Sequence, residues 1–333
     1  MDRAGGRSAV SLREIVQLVE GGLGRVEALL AEQVRSDVRL VAEIARYIQE
    51  GGGKRVRPAL LLLASRLCGN AGERAVVLAS TVEFIHTATL LHDDIIDEAT
   101  VRRGRRSVNS RWGNDVTVLV GDFLYTKSMA MALSQDNLRI LRLLSDVTLR
   151  MIEGEILEIE RNGNLQVTAE DHLDVIRRKT ADLFAACTRI GAILGEAGEE
   201  REKALTSYGL NLGICFQMVD DLLDFTAEEK TLGKPVANDL REGKVTLPMI
   251  FLLRRGGGDE VAKVRAVLAD RGFDRVSREE IVRLAREKGA LEEARRLAEH
   301  YASAARRDLL AFEPSVYREA LEALPDFILS RDH

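Results

Sequence analysis

No proline occurs between Pro58 and Pro235, and this gap limits what the chain can fold into. Proline ends or kinks helices and is common in turns, so a long stretch without it favours long helices over a series of short strands. Apolar residues recur close to helical spacing in five segments, residues 73–98, 116–133, 138–159, 169–194 and 200–225. The pattern predicts an all-α fold of ten or more helices.

The chain shows no shift in composition that would mark a domain boundary, and no repeat of fixed period. We therefore expect residues 1–333 to form a single large helical domain. From Arg254 onward the helical segments are charged and amphipathic and contain no motif. We expect this last quarter to pack on the outside of the bundle.

Composition excludes several classes of protein. The net charge of −5 argues against a general nucleic-acid binder. We find no apolar run close to the roughly 18–20 residues of a membrane span, and no apolar stretch typical of a signal peptide at the start. The scattered cysteines Cys68, Cys187 and Cys215 suit the core of a protein in a reducing cytosol. The sequence predicts a cytoplasmic protein without a transmembrane segment.

Two aspartate triplets share one spacing. Asp93, Asp94 and Asp97 end one apolar helical segment, and a second triplet (Asp220, Asp221 and Asp224) ends another. With 22 aspartates in the chain, chance predicts about 0.1 such match per chain, so two matches indicate a function. A solvated helix face is the simpler alternative, but the triplets follow apolar sequence.

The triplets break local rules in the same way. Asp93 and Asp97 lie one helical turn apart, where like charges repel, and so do Asp220 and Asp224. Each pair is close to a helix end, where the helix dipole disfavours anions. A bound cation would supply the missing stabilisation, and Mg²⁺ commonly binds through carboxylates plus substrate phosphate oxygens. The triplets therefore predict a magnesium site that holds a diphosphate.

Basic residues indicate the same kind of ligand. Lys54, Arg55 and Arg57 follow three glycines at an expected helix start, a setting that suits anion binding but is also common in solvated loops. Arg102 and Arg103 follow the first triplet and suit either a phosphate or surface acids. A further residue, His86, lies two helical turns before Asp93, so we expect it to share that face and contact ligand.

In their order along the chain, these motifs resemble the trans-isoprenyl diphosphate synthase family, also called polyprenyl synthetases. The similarity runs from about residue 51 to 248, and Lys179-Thr180, Gln217, Gly233-Lys234, Asp239 and Lys244 lie at the family's positions. Val56 is a mild variation. The stretches VEFIHTATLLHDDIIDE and LVGDFLYT are especially similar to long-chain members, the octaprenyl diphosphate synthases among them. The family implies an isoprenoid synthase bundle with a central apolar cavity, and a homodimer.

The resemblance also implies roles for individual residues. Three Mg²⁺ ions would be held mainly by Asp93, Asp97 and Asp220, with Asp94, Asp221 and Asp224 in direct or supporting roles. Isopentenyl diphosphate would be bound by Lys54, Arg57, His86 and Arg103. The allylic diphosphate would be clamped by Arg102, Lys179, Gln217, Lys234 and Lys244, with Thr180 nearby.

Product length is predicted from the residues before the first triplet. In the family, bulk about five residues before this motif closes the pocket early. Ala88 and Thr89 are small or modest in size, so we expect a long product near eight isoprene units. The pocket floor would lie deeper, in residues 129–133. A shorter farnesyl or geranylgeranyl product remains the alternative.

Four other functions are weighed against this prediction. A terpene cyclase would not need the isopentenyl residues Lys54, Arg57 and His86. A noncatalytic partner subunit should have lost aspartates, whereas this chain retains all six. A metal phosphohydrolase usually mixes histidine with its carboxylates, and the five histidines here form no such cluster. A purely structural helical protein leaves both triplets unexplained.

Overall fold

The computed structural model describes residues 12–226 and 236–331, and their regular secondary structure is helical except for one short hairpin. The helices before the second aspartate triplet are α1 (Leu12–Gln17), α2 (Glu20–Gln33), α3 (Arg39–Glu50), α4 (Val56–Leu67), α5 (Glu73–Ile96), α6 (Val108–Trp112), α7 (Asn114–Leu133), α8 (Leu138–Arg161), α9 (Ala169–Ile176) and α10 (Asp182–Leu194). Those that carry or follow it are α11 (Glu199–Thr226), α12 (Asn238–Arg241), α13 (Leu247–Arg255), α14 (Gly258–Asp270), α15 (Arg278–Glu287), α16 (Ala290–Asp308) and α17 (Val316–Leu329). The strands are β1 (Val101–Arg102) and β2 (Arg105–Arg106).

The all-α prediction is confirmed, and the helix bounds follow the apolar pattern closely. Four of the five predicted segments correspond to the single helices α5, α7, α8 and α11. The fifth, residues 169–194, is divided into α9, a π-helical turn (Arg177–Ala181) and α10. Single π turns within helical segments often occur at functional sites. This turn contains the predicted site residues Lys179 and Thr180.

The helices α5 and α11 lie in the core. Buried apolar residues from Ile15 to Ile328 form one contiguous cluster, in which α5 packs against α4 and α7, and α11 packs against α10. A glycine allows the closest of these approaches. A Cβ added at Gly213 of α11 would lie 2.6 Å from the Cα of Ala181, so only glycine lets α11 lie directly on the π turn.

The expectation that the last quarter packs outside the bundle is wrong for α16. A stripe of alanines on this helix is fully buried, and it packs against α11. The members of this stripe are Ala290, Ala294, Ala298, Ala302 and Ala305. Small side chains at helical spacing let two helices approach closely. The C-terminal region therefore supports the helix that carries the second triplet.

The hairpin after α5 positions two arginines. Arg102 pairs with Arg105 across the antiparallel strands, and Arg103 and Gly104 form the two-residue loop. Both loop residues have positive φ, 52° and 73°, as the favoured two-residue hairpin loops require. The loop brings the Arg103 guanidinium against the carbonyl oxygen of Gly52. The glycine run before α4 and the hairpin after α5 are thus joined.

Two of the helices, α5 and α7, are long and apolar enough to cross a membrane by length and composition alone. The expectation that the protein has no transmembrane segment stays a prediction. In the apolar window of α5, 67% of residues are buried within the protein, against 39% for α7. The central helix of a folded bundle passes the same test, so length and composition are weak evidence for a membrane span.

Candidate active site

The first aspartate triplet lies at the carboxyl end of α5. The Asp97 amide donates a hydrogen bond to the Asp93 carbonyl at 2.8 Å, which places these residues one turn apart. The Asp94 carboxylate instead accepts a hydrogen bond from Arg102 Nε at 2.7 Å and is buried. Asp93 and Asp97 therefore share a face of the helix, while Asp94 pairs with the hairpin.

Ionisation of Asp93 is disfavoured by its surroundings. Burial is the largest influence and raises the pKa of this carboxyl to about 7. The charges of Glu155 and Asp97 raise the pKa further, whereas the ammonium of Lys179 lowers it. A cation at this position would favour the ionised form. The carboxyl is thus placed where binding of a metal ion and loss of its proton are coupled.

The second triplet lies at the carboxyl end of α11. Asp220 Oδ1 accepts a hydrogen bond from Arg331 Nη1 at 2.9 Å. Burial raises the pKa of the Asp220 carboxyl to about 6, although Arg331 lowers it. Asp224 is buried, and its Oδ2 accepts a hydrogen bond from the Asp239 amide at 3.1 Å. Sequence reasoning missed Arg331 because nothing local links the C-terminal end to α11.

A hydrogen-bonded chain joins the second triplet to the π turn. Thr180 Oγ1 donates to Gln217 Oε1 at 2.9 Å, and Gln217 Nε2 donates to Asp221 Oδ1 at 3.0 Å. The other carboxylate oxygen of Asp221 lies 2.8 Å from His172 Nε2. Thr180 and Gln217, both predicted site residues, are therefore in contact, and Asp221 is turned toward α9.

Two carboxylates of α8 hold Lys179. Its Nζ lies 2.6 Å from Glu155 Oε2 and 2.7 Å from Glu158 Oε2. Burial on its own would lower the pKa of the Lys179 ammonium, but these two carboxylates outweigh burial and raise it. Lys179 is thus a permanent cation. Glu155 and Glu158 were not predicted from the sequence. Their spacing of three residues, which puts both on one face of a helix, is the signal that could have indicated them.

Lys244 reaches the first triplet from the other side. Its Nζ lies 3.0 Å from Asp97 Oδ1, 3.1 Å from Glu242 Oε2 and 4.0 Å from Glu158 Oε2. Burial lowers the pKa of Lys244, and the surrounding carboxylates, Glu158 first, raise it well above the usual range. Glu158 therefore lies between two predicted diphosphate-binding lysines, Lys179 and Lys244.

The glycine run before α4 carries a second group of cations. Arg55 has a positive φ of 48° and immediately precedes the helix. Its Nη1 donates to the buried Glu83 at 2.8 Å, and its Nη2 donates to Glu27 at 3.1 Å. Arg55 is thus held by carboxylates of α2 and α5. Lys54, next to it, is exposed.

Arg57 and His86 lie close to this group. The Arg57 guanidinium carbon is 4.9 Å from the centre of the Phe184 ring, and burial lowers the pKa of this side chain. Burial is also the largest cause of a His86 pKa well below the usual range, followed by the charges of Arg57 and Arg103. His86 is therefore neutral, and it can offer one N–H donor to an anion.

The residues predicted to set product length lie in α5 and α7. Ala88 of α5 is buried. Thr89 is half-buried, and its hydroxyl donates to the His86 carbonyl at 2.9 Å. In the segment predicted to hold the pocket floor, Met131 and Ala132 are buried, while Leu133 is exposed. Lys234 lies outside the described residues.

Metal binding here would need ligands besides the protein. Within residues 12–226 and 236–331, no three histidine, cysteine, aspartate or glutamate side chains are close enough to hold a metal ion by themselves. The donors still fit a Mg²⁺ site that is completed by water or by the phosphate oxygens of a substrate. Asp93, Asp97 and Asp220 offer only oxygen, and Mg²⁺ commonly uses one or two carboxylates plus phosphate oxygens and water.

Comparison with solved structures defines the class of protein. A polyprenyl synthase from Caulobacter crescentus CB15, solved in complex with calcium and isoprenyl diphosphate, matches with a TM-score of 0.93 and 36% identity, covering 98% of this chain and 100% of that one. A decaprenyl diphosphate synthase from Rhodobacter capsulatus matches with a TM-score of 0.91 and 38% identity, covering 96% of this chain and 99% of that one. The fold is therefore the all-α isoprenoid synthase fold.

Comparison of sequences then gives the family. The family model described as "Polyprenyl synthetase" matches residues 38–284. The octaprenyl diphosphate synthase of Escherichia coli (strain K12) is 39% identical over 323 residues, covering 97% of this chain and 100% of the relative. The chain belongs to the polyprenyl synthetase family, which confirms the resemblance noted in the sequence. It is a trans-polyprenyl diphosphate synthase, a prenyltransferase.

Proposed function

We propose that this enzyme condenses isopentenyl diphosphate with an allylic diphosphate, head to tail and in trans, and that it requires Mg²⁺. The supporting observation is that two separate groups of cations flank the aspartates. One group includes Arg57 and Arg103 near the glycine run, and the other comprises Lys179 and Lys244. Two groups of cations suit two diphosphates, whereas a terpene cyclase binds one.

Isopentenyl diphosphate would bind at the glycine run. Lys54, Arg57 and Arg103 would contact its diphosphate, and His86 would donate a hydrogen bond. Arg55 is already paired with Glu27 and Glu83, so Arg57 is the more available cation for a diphosphate. The Nε atom of Arg57 is buried without a hydrogen-bond partner, which an anion oxygen would satisfy.

The allylic diphosphate would bind between the triplets. Lys179 and Lys244 would contact its phosphate oxygens, with Arg102, Gln217 and Lys234 in the clamping roles that the family implies. Thr180 would lie near the reacting carbon. Both lysines stay charged because carboxylates surround them, so they can stabilise the negative charge that grows on the leaving diphosphate.

Asp93, Asp97 and Asp220 would hold most of the Mg²⁺, three ions in all, with Asp94, Asp221 and Asp224 in supporting roles. When bound there, Mg²⁺ would supply positive charge that stabilises the allylic diphosphate as a leaving group. A divalent cation is supported by the calcium and isoprenyl diphosphate bound in the Caulobacter crescentus relative. The pairing of Asp94 with Arg102 and of Asp221 with His172 agrees with a supporting role for both.

The reaction breaks the allylic C–O bond, and the isopentenyl double bond forms a new C–C bond to the resulting carbocation. Loss of a proton then gives a chain five carbons longer. The released diphosphate would accept this proton, because the site residues include no obvious protein base. Apolar side chains exclude water, which would otherwise react with the cation.

The product would be long, near C40. Octaprenyl and decaprenyl diphosphate synthases are among the similar proteins. Ala88 is buried in α5, and at 1.5 Å per residue it lies about 7.5 Å below Asp93, where a small side chain leaves room for a growing chain. A farnesyl or geranylgeranyl product is the alternative, since a geranylgeranyl diphosphate synthase is also a relative, 35% identical over 295 residues.

The enzyme would act as a cytoplasmic homodimer without a transmembrane segment, and residues 1–333 would form one domain. Exposed apolar residues on α7 and α8 support the dimer. Leu149, Ile152, Ile156 and Ile159 form one stripe on α8 and are each about half exposed. Leu119 of α7 is 67% exposed. Apolar stripes of this kind commonly mark an interface between proteins.

An incorporation assay tests the proposed function. The purified chain is mixed with Mg²⁺, an allylic primer and radiolabelled isopentenyl diphosphate, and extracted products are counted. We expect incorporation that excess chelator abolishes and that Asp93→Asn lowers by orders of magnitude. A cyclase would consume the primer alone, and a noncatalytic subunit would be inactive by itself. Either result would refute the proposal.

A further inference from the structure

His172 makes a buried contact that no motif of the sequence predicts. It lies in the first turn of α9, and its ring Nε2 is 2.8 Å from Asp221 Oδ2 on α11. Its exposed fraction is 9%, and that of Asp221 is 4%. The N-terminus of α9 is fixed by a capping box in which Thr168 and Asp171 exchange hydrogen bonds. The ring is therefore held in position from its own helix.

The directions of the hydrogen bonds follow from the carboxylate. Asp221 can only accept, so His172 Nε2 carries a hydrogen, and the Gln217 amide turns its Nε2 toward Asp221. The oxygen of the same amide must then face Thr180, whose hydroxyl donates to it at 2.9 Å. The Thr180 hydroxyl hydrogen is thereby committed to Gln217, and the lone pairs of the hydroxyl oxygen remain available to another group.

We propose that His172 is a positioning residue for the allylic reaction, acting through Asp221 and Gln217 on Thr180. This inference rests on the proposed function, since it assumes that an allylic cation forms near Thr180. A correctly oriented hydroxyl oxygen presents its negative end to that cation. Preorganised dipoles of this kind stabilise charge that develops in a transition state. His172 contacts neither substrate, so it is a positioning residue and not a catalytic residue.

The proposal differs from a simple packing role for His172. A packed ring would be replaced well by any ring of similar size. A positioning ring must supply a hydrogen-bond donor to Asp221, because without one the buried carboxylate loses a partner and the amide of Gln217 can rotate.

Variants with and without a hydrogen-bond donor at this position separate these roles. With His172→Phe we expect kcat to fall about tenfold to a hundredfold, the range for losing a hydrogen bond to a charged group. KM for either substrate should change less than about twofold. His172→Gln, whose amide N–H can replace the Nε2–H donor, should retain most of kcat, and His172→Met, which has no donor, serves if the Phe variant does not fold. Equal kcat values for the donor-bearing and donor-free variants would overturn the proposal.

A double-mutant cycle tests the route to Thr180. Thr180→Val removes the hydroxyl that the chain of hydrogen bonds orients. If His172 acts through this hydroxyl, adding His172→Phe to Thr180→Val should lower kcat no further. Multiplicative losses would show that His172 acts by another route and would refute the inference.

A spectroscopic measurement keeps this inference distinct from the proposed function. In ¹⁵N-labelled protein, we expect an imidazole N–H signal of His172 that exchanges slowly with water. The signal should be absent in His172→Phe and shifted in Asp221→Asn. Its absence from the wild-type spectrum would refute the positioning role whether or not the protein incorporates isopentenyl diphosphate, whereas failed incorporation with this signal present would refute only the proposed function.

Discussion

Metal binding should weaken as the pH falls from 8 to 6. Burial raises the pKa of Asp93 to about 7 and that of Asp220 to about 6. A proton and a metal ion compete for each of these carboxylates, because a ligating carboxylate must be ionised. A raised pKa means that protonation already competes near neutral pH, whereas an ordinary aspartate would stay ionised throughout this range.

The size of the effect follows from these two pKa values. At pH 6, about one Asp93 carboxyl in eleven and about half of the Asp220 carboxyls would be ionised, whereas at pH 8 nearly all would be. If the ion needs both groups ionised, the half-saturating metal concentration should rise about twentyfold between pH 8 and pH 6. Asp93 alone accounts for about a tenfold rise, and Asp220 for about twofold.

The assay measures metal binding without substrate, because a diphosphate would itself titrate in this range. Mn²⁺ is titrated into the protein at pH 8 and pH 6, and free Mn²⁺ is measured by electron paramagnetic resonance at each step. Asp220→Asn should leave about a tenfold dependence on pH, and Asp93→Asn about a twofold dependence, although both bind more weakly overall. Equal half-saturation of the wild type at both pH values would show that neither carboxyl has a raised pKa, and would refute the reasoning.

Three further predictions address substrates, product and assembly. In steady-state kinetics, Arg57→Ala should raise KM for isopentenyl diphosphate about tenfold or more, whereas Lys179→Ala should mainly lower kcat. Equal effects of both variants on both substrates would contradict two separate sites. Chromatography of dephosphorylated products should show that Ala88→Phe shortens the chain without abolishing the first condensation, whereas an unchanged distribution would mean that the chain does not pass this residue. In sedimentation, Ile152→Asp should shift a dimer toward monomer, and a wild type that is already a fully active monomer would refute the dimer.

The helices could be predicted from the sequence because apolar spacing records burial directly. α5 and α11 match their predicted segments to within two residues, since each is buried over most of its length. The π turn at Arg177–Ala181 could not be predicted, because the apolar spacing of an α-helix does not reveal a single π turn within it; α11 approaches this turn closely. That approach is set by Gly213, which looks like any other glycine in the sequence.

The sequence predicts which residues belong to the site, but it does not predict which of them pair with one another. The aspartate spacing correctly places Asp93 and Asp97 on one face of α5. It gives Asp94 and Asp221 the same position within their triplets and so predicts the same surroundings for both. The structure gives each a different partner, Arg102 from a hairpin and His172 from another helix. Such pairs join residues far apart in the sequence, so periodicity within one helix carries no information about them.

Several charged side chains of this site are paired with one another within the protein. Lys179 forms ion pairs with Glu155 and Glu158, Lys244 with Asp97, and Arg331 with Asp220. An uncompensated charge in such a partly buried site costs several kcal/mol, in the range of about 3–5 kcal/mol when one partner of a buried pair is lost. Binding as proposed would give these groups new partners, since Mg²⁺ would pair with the aspartates and phosphate oxygens would pair with the lysines, while Glu155, Glu158 and Arg331 would lose part of their present pairing. The same residues can therefore fold without ligand and still bind two highly charged substrates.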